Sequence, residues 1–322
     1  TLLFNIHKMA WSEELTTLLE VPKHTLPNVK PNTADFGVTA TNLLPKKLPI
    51  AAMAGDQHSA TFGQACFEAG MVKSTYGTGC FAVLNTGKTP VPSGNGLLTT
   101  LAYHIDDHTH DTPTYALEGS IFVAGAGVQW LRDALGVINT AAETEEMAKA
   151  VDGKTGDLYL VPAFAGLGAP WWDSAAKGTL VGMTLDTNKD ALAHAMLESV
   201  CYQSHDLLTA MAADYGRDVK EVRVDGGMVA NNWLCQRLAC LTGTPIRRPR
   251  ITQTTALGVA WMAGLQLGLY QDTAQLSNLW QGEVDVTPQM DAHVVEKKRR
   301  GWHNAVETAK NHGAKKQNES IA

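Results

Sequence analysis

The sequence predicts an α/β fold. Short apolar or alternating segments recur along the chain, and from about residue 120 onward segments with helical periodicity separate them. Of the 322 residues, 44% are hydrophobic and 18% are charged, so the chain can bury a substantial core and is not a disordered protein. Such a length usually corresponds to two domains or to one large domain.

The expected elements follow in chain order. A short amphipathic helix is predicted at 12–19, and the apolar run 48–54 is predicted to be a buried strand leading into a helix at 57–69 with Asp56 as N-cap. Two hairpins are predicted, the first with strands at 71–76 and 81–86 and the second with strands at 97–104 and 113–117. Beyond them we expect strands at 158–162 and 220–224, and helices at 124–135, 140–151, 188–215, 230–241, 255–268 and 291–312.

Charge and composition exclude several classes of protein. The formal net charge is −6, which argues against a non-specific nucleic-acid binder with its basic face. No run of about 18 apolar residues predicts a membrane span, and no export leader opens the sequence, so a cytoplasmic location is expected. The irregular cysteine spacing, without any CxxC pair, favours reduced and mostly buried thiols at Cys66, Cys80, Cys201, Cys235 and Cys240.

Three segments carry residues that could perform chemistry, and each has an ordinary structural alternative. Asp56 follows an apolar run and a glycine, so it is either a helix cap or a general base that accepts a proton from a substrate hydroxyl. The glycine-rich turn at 77–80 either closes a hairpin or presents backbone N–H groups and Thr78 to a phosphate. The segment 224–232, with Gly226 and Gly227, is either a plain β–α turn or a close-approach site for a nucleotide.

Three further features favour a structural interpretation. The histidines and aspartates at 104–111 resemble metal ligands, but a solvated loop is the favoured interpretation. The charged run 296–300 is typical of a solvated helix face, with a weak anion or partner site as the alternative. Trp171 and Trp172 favour packing over stacking on a base.

Six segments together resemble the FGGY carbohydrate kinases, and among them the members that phosphorylate glycerol. They occur in the family's order and at its approximate spacing between residue 1 and about 309, which is more specific than any one motif. They are AGDQ at 54–57, STYGTGCF at 74–81, ALEG at 116–119 with AGAGVQWLRD at 124–133, GLGAPWWD at 166–173, DGGMVAN at 225–231 and TALG at 255–258.

The resemblance implies a fold and a set of roles. The fold is ribonuclease-H-like, as in actin and hexokinase, with a mixed central sheet. Asp56 becomes the catalytic base, Gln57 a second contact to glycerol, and Phe81 the residue that packs against the glycerol carbon chain. The residues that line the ATP/ADP site are Thr78, Gly125, Gln129, Gly227 and Asn231. No residue of this chain is assigned as a metal ligand.

The implied reaction transfers phosphate from ATP, with Mg²⁺, to glycerol, giving glycerol 3-phosphate and ADP. The expected binding partners are glycerol and ATP, and neither nucleic acid nor a membrane is expected to bind. The protein is expected to form dimers or tetramers. Residues 1–64 are expected to be the end of a first, substrate-side domain, 65–312 the nucleotide-binding domain and 313–322 a polar tail. An arginine–glutamate pair, a tyrosine, a phosphate loop and an aspartate of the family's first half have no counterpart, so the isolated chain is expected to be inactive.

Two alternatives stay open. The chain could belong to a family member that acts on a different polyol or sugar, although a phenylalanine at position 81 is unlike the small polar residues of the sugar kinases. It could also be a non-catalytic nucleotide-binding module of the same fold, although such a module has no need of a base at Asp56.

Overall fold

A computed structural model describes residues 2–40, 42, 44–105 and 112–319, with side chains up to residue 313. The helices are α1 (Glu13–Leu18), α2 (Asp56–Gly63), α3 (Gly125–Asp133), α4 (Glu143–Val151), α5 (Lys189–Tyr215), α6 (Asn232–Thr242), α7 (Thr254–Gln266), α8 (Thr273–Leu279) and α9 (Ala292–Glu319). The strands are β1 (Phe4–Asn5), β2 (Ala10–Trp11), β3 (Met71–Tyr76), β4 (Cys80–Gly87), β5 (Leu98–Tyr103), β6 (Thr114–Ile121), β7 (Tyr159–Val161), β8 (Thr179–Val181), β9 (Glu221–Asp225), β10 (Ile246–Pro249) and β11 (Gly282–Val286).

A mixed seven-stranded sheet organises the described part of the chain. Its strand order is β11-β10-β9-β3-β4-β6-β5. The pairs β10–β9 and β9–β3 are parallel, whereas β11–β10, β3–β4, β4–β6 and β6–β5 are antiparallel. The predicted α/β class, the mixed sheet and both predicted hairpins are therefore confirmed.

The two faces of this sheet are covered by different helices. On one face, Leu84 of β4 and Leu197 of α5 belong to the same large core. On the other face, Val83 of β4 shares a second core with Phe62 of α2 and Met262 of α7. Because side chains alternate along a strand, neighbouring residues of β4 serve opposite cores.

Helices α2 and α7 touch through their backbones, and two glycines make this contact possible. A Cβ atom on Gly258 would lie 1.8 Å from the Ser59 carbonyl oxygen, and one on Gly63 would lie 2.0 Å from the Thr254 carbonyl oxygen. The Ser59 hydroxyl donates a hydrogen bond of 2.7 Å to the Thr255 carbonyl across the same contact. No residue with a side chain fits at either glycine without moving a helix.

Several predicted elements differ from the structure. The run 48–54 is not a buried strand: it forms only isolated bridges to Thr33 and Val38, and the Met53 side chain is 58% exposed. Helix α2 ends at Gly63 instead of residue 69, because the chain turns at Ala65, which has a φ of 48°. Four elements beyond residue 178 were not predicted, namely β8, β10, α8 and β11.

Helix α9 continues to Glu319, past its predicted end at 312 and through most of the segment predicted to be a polar tail. Gly313 packs so closely that a Cβ atom there would lie 2.2 Å from the Ala175 carbonyl. The charged run on this helix is not only a solvated face, because Lys298 donates to Glu198 at 3.0 Å and Arg299 donates to the Leu241 carbonyl at 2.6 Å. Residues 320–322 lie outside the described part.

Two other predictions can be compared with the structure. All five cysteines are buried and free of disulfides, as predicted. Within the described ranges, no helix is both long enough and apolar enough to cross a membrane.

We predict that Gly258→Ala destabilises the protein by about 2 kcal/mol, because the added methyl group overlaps the Ser59 carbonyl and the helices must separate. This loss outweighs the gain of up to about 1 kcal/mol that alanine normally brings to a helix. The free energy of unfolding in urea measures the effect. Ala260→Ser is the matched control, since it adds one heavy atom on the exposed face of α7 and should change stability by less than about 0.5 kcal/mol. Equal stability of both variants would contradict the prediction.

Candidate functional site

A cleft of about 500 Å³ opens where β3 and β9 end. The carboxyl ends of parallel strands are where open α/β sheets bind their ligands. The cleft is lined by the tip of the β3–β4 hairpin, the first turns of α3 and α4, and the segment between β9 and α6. All five residues predicted for nucleotide binding lie in this lining, namely Thr78, Gly125, Gln129, Gly227 and Asn231.

The hairpin tip is fixed against the start of α3 by backbone hydrogen bonds. The amides of Ala124 and Ala126 both donate to the Thr78 carbonyl at 3.0 Å, and the Gly125 amide donates to the Gly77 carbonyl at 2.9 Å. A Cβ atom on Gly125 would lie 2.5 Å from the Gly77 carbonyl oxygen, so glycine is required there. With its carbonyls satisfied by α3, the tip leaves the exposed Thr78 side chain to the cleft.

The two glycines after β9 have different surroundings. Gly226 has a φ of 94°, and a Cβ atom there would lie 2.4 Å from the Tyr76 carbonyl oxygen. A Cβ atom on Gly227 would meet nothing within 4 Å, because this residue faces the open cleft. Gly226 therefore serves the turn, whereas Gly227 leaves backbone open to a ligand.

Asn231 brings a donor without a partner to the same cleft. Its Oδ1 caps α6 by accepting a hydrogen bond of 2.9 Å from the Leu234 amide. Its Nδ2 is buried and donates to no residue in the described part of the chain. A buried amide donor without an acceptor is unfavourable by about 1–3 kcal/mol, so this atom is suited to an acceptor on a bound ligand.

Asp225, at the end of β9, does not line this cleft but borders a second cavity, which Thr75 and Thr254 also line. The residue is only 2% exposed, and its carboxylate accepts hydrogen bonds from Gln64 Nε2 at 2.8 Å, from Thr254 Oγ1 at 2.6 Å and from Thr75 Oγ1. Three donors from three segments satisfy this buried carboxylate, so its role is to join those segments.

Asp56 lies at the first position of α2 and is exposed to solvent. Its predicted role as N-cap is wrong, because Gly55 occupies that position. Among the described residues, the Asp56 carboxylate accepts a hydrogen bond only from the neighbouring Gln57 amide, at 2.8 Å. A carboxylate so lightly used by the protein is free to act on a ligand.

Gln57 and Phe81 lie on the sheet face that α2 and α7 cover. Lys73 of β3 donates a hydrogen bond of 2.5 Å to Gln57 Oε1. Phe81 is paired with Thr75 across β3 and β4, one pleat along from the pair of Lys73 and Val83, so these four side chains share one face. The Phe81 ring is 41% exposed at the end of this face. The structure thus brings the predicted glycerol-binding residues to one side of the sheet.

Lys73 is a residue that sequence analysis missed. It is 0% exposed, and burial lowers the pKa of its ammonium group, while the nearby carboxylate of Asp225 opposes that shift. The one signal in the sequence is a single charge inside the strand segment 71–76, which is otherwise free of charged residues. Its polar neighbours come from distant segments, and a single sequence does not show them.

The other candidate features carry no site. Trp171 donates to Asp206 at 3.2 Å and Trp172 donates to the Gly96 carbonyl at 2.7 Å, so both indole N–H groups are used within the protein. Residues 106–111 of the histidine and aspartate segment lie outside the described part. Where the structure is described, no three His, Cys, Asp or Glu side chains form a group able to hold a metal ion.

Comparisons with known proteins agree with this arrangement. The model of the FGGY family of carbohydrate kinases, C-terminal domain, matches residues 72–267, and that of the N-terminal domain matches residues 1–63. A glycerol kinase of Alcanivorax borkumensis is 54% identical over 306 residues, and one of Methylobacterium nodulans is 53% identical over 309. Each alignment covers 95% of this chain, which spans 60% and 61% of the length of these two relatives.

Solved structures show the same fold. The Plasmodium falciparum glycerol kinase with ADP superimposes with a TM-score of 0.90 at 34% identity, over 96% of this chain and 61% of its own. The gluconate kinase of Lactobacillus acidophilus reaches a TM-score of 0.82 at 20% identity, over 97% of this chain and 62% of its own, which shows the fold alone. The predicted ribonuclease-H-like fold of actin and hexokinase is thereby confirmed. From the family models, the matched relatives and the fold, we conclude that the chain belongs to the FGGY family of carbohydrate kinases.

Proposed function

We propose that the chain is the C-terminal part of an enzyme that transfers the γ-phosphate of ATP to glycerol, forming glycerol 3-phosphate and ADP, and that the chain alone is inactive. The observation that carries this proposal is the cleft in which five predicted nucleotide-binding residues meet, one of them with a buried amide donor that lacks an acceptor. The sequence identity of 54% to a relative named glycerol kinase supports glycerol as the acceptor.

The nucleotide would lie along the backbone that lines the cleft. Gly227 allows close approach, Thr78 offers a hydroxyl at the hairpin tip, and Asn231 Nδ2 offers a hydrogen bond to the bound nucleotide. Gly125 and Gln129, in the first turns of α3, complete the set of proposed contacts. The amides that open α3 are already used by the hairpin tip, so the phosphates would lie against the glycine-rich turns at Thr78 and Gly227, where backbone N–H groups can bind anions.

The acceptor would be bound near the start of α2. Asp56 has an exposed carboxylate that can take the proton of the attacking hydroxyl, and Gln57 can donate from its amide to a second hydroxyl. Phe81 offers an exposed ring to the carbon chain. Phosphoryl transfer has a loose transition state. The main task of these residues is therefore to align the attacking glycerol hydroxyl with the phosphate and to keep the Asp56 carboxylate beside that hydroxyl.

Mg²⁺ is the expected companion of the ATP phosphates. Among the proposed site residues Asp56 has the one carboxylate, and Mg²⁺ typically takes one or two carboxylates together with phosphate oxygens and water. Because Asp56 is already the proposed base, no residue of this chain is proposed as a ligand, and phosphate oxygens and water would hold the ion here. When bound, the ion would neutralise negative charge on the phosphates.

We propose a first domain that ends near residue 64, a second at 65–312, a cytoplasmic location and a dimeric or tetrameric assembly. We expect the isolated chain to be inactive. Glycerol turnover by this chain alone at about 1–100 per second, a typical kinase rate, would contradict that expectation.

We predict that Asp56→Asn lowers kcat for glycerol phosphorylation by about 10²–10⁴-fold in the protein produced from the complete gene, because the amide cannot accept the hydroxyl proton. Coupled detection of ADP measures the rate. Asp186→Asn, at an exposed position, is the matched control and should retain full activity. Retained turnover in Asp56→Asn would contradict the assignment of the base.

We predict that Asn231→Ser weakens ADP binding about tenfold, because serine can cap α6 but lacks the amide donor. Titration calorimetry with ADP measures the dissociation constant, and thermal unfolding checks that the cap survives. Asn188→Ser is the matched control, since Asn188 caps α5 in the same manner and does not line the cleft. An equal loss of affinity in both variants would show that capping, and not nucleotide contact, is responsible.

We predict that Phe81→Ser raises KM for glycerol about tenfold, because the carbon chain loses an apolar contact. KM for ATP should stay within about twofold, as Phe81 does not line the nucleotide cleft. Leu185→Ser, which changes a fully exposed apolar side chain, is the control. Unchanged use of glycerol would remove the main sequence support for glycerol over a sugar, and a panel of polyols and sugars would then identify the acceptor.

A further inference from the structure

Lys73 is a buried lysine, and packing alone does not explain why a lysine occupies this position. It is the third residue of β3, is 0% exposed and lies on the face covered by α2 and α7. Removing an ammonium group from water is costly unless the charge is compensated, and an apolar side chain of similar length would fill the same space. The ammonium group therefore requires an explanation beyond packing.

The polar surroundings of Lys73 lead to the proposed acceptor site. Its Nζ donates to Gln57 Oε1 at 2.5 Å, and Gln57 directly follows the proposed base Asp56 on α2. The carboxylates whose charges act on Lys73 are those of Asp225 and, more weakly, Asp56. The lysine thus contacts the first turn of α2 and lies within the electrostatic influence of the buried Asp225 carboxylate.

This hydrogen bond fixes the orientation of the Gln57 amide. An ammonium group can only donate, so the atom of Gln57 that faces Lys73 must be the carbonyl oxygen Oε1. The amide nitrogen Nε2 then points away from Lys73, and it donates to no residue in the part of the chain that the structure describes. Two N–H donors on a half-buried side chain are therefore available to a ligand beside Asp56.

We propose that Lys73 is a positioning residue for the acceptor substrate: its buried ammonium group holds Gln57 so that Nε2 donates to a glycerol hydroxyl. This inference rests on the proposed function. Without Lys73 the Gln57 amide can rotate and present either Oε1 or Nε2 to the ligand. Part of the free energy of glycerol binding is then spent on ordering this side chain. The effect concerns the acceptor and leaves the nucleotide cleft untouched, because neither Lys73 nor Gln57 lines that cleft.

The test is a double-mutant cycle in the protein produced from the complete gene. We expect Lys73→Met to raise KM for glycerol about tenfold while KM for ATP stays within about twofold. In a Gln57→Ala background, where no amide remains to be oriented, Lys73→Met should cause no further rise. Lys220→Met, which removes an exposed lysine paired with Glu68 at 3.0 Å, is the control for loss of a positive charge.

A second variant covers the case in which Lys73→Met does not fold. Gln57→Glu keeps the Lys73 contact as an ion pair and replaces the Nε2 donors by a carboxylate oxygen, so thermal stability should be retained while KM for glycerol rises about tenfold. An unchanged KM for glycerol in Gln57→Glu, or an equal rise caused by Lys73→Met with and without Gln57, would overturn the inference. A wild-type protein that does not phosphorylate glycerol would instead overturn the proposed function, and the inference with it.

Discussion

The arrangement of the site depends on one buried carboxylate, that of Asp225. A carboxylate in a protein interior is unfavourable unless donors surround it, and here donors reach it from three separate segments of the chain. Thr75 belongs to the central strand β3, Thr254 begins α7, and Gln64 follows α2. The end of β9 is therefore joined by hydrogen bonds to the sheet and to both covering helices.

Asp225 also connects the two halves of the proposed site. On the nucleotide side it precedes Gly226, whose close approach to the Tyr76 carbonyl sets the path of the backbone into the cleft. On the acceptor side its charge lies near Lys73, which in turn contacts Gln57. A short polar layer therefore crosses the space between sheet and helices, where the surrounding contacts are apolar. Such a layer favours one arrangement over others, because any shift would leave a buried charge without its partner.

Much of the fold follows from local patterns in the sequence. Strands β3, β4 and β9 and the long helix α5 were predicted within one or two residues, because their periodicity is strong and their ends carry glycine or capping residues. Strand β10 was missed because its sequence, IRRP, contains two arginines, and Arg247 is accommodated by a cross-strand pair with Asp285 at 2.8 Å. The run 48–54 was assigned wrongly because an apolar sequence does not reveal whether a partner strand exists.

The residues of the proposed site were predictable only where short motifs contain them. The five proposed nucleotide-binding residues follow from short motifs that resemble a family, and the structure places all five in one cleft. The burial of Lys73 and the environment of Asp225 depend on side chains far away along the chain, which no local pattern contains.

The contact between α2 and α7 has a consequence for how the gene can vary. The two helices can approach this closely because neither Gly63 nor Gly258 carries a Cβ atom. Every missense change of a glycine codon adds a Cβ atom, so no amino acid can replace either residue conservatively. In genetic terms, both codons should accept synonymous changes only, although a standard substitution table would rank glycine to alanine among the mildest changes.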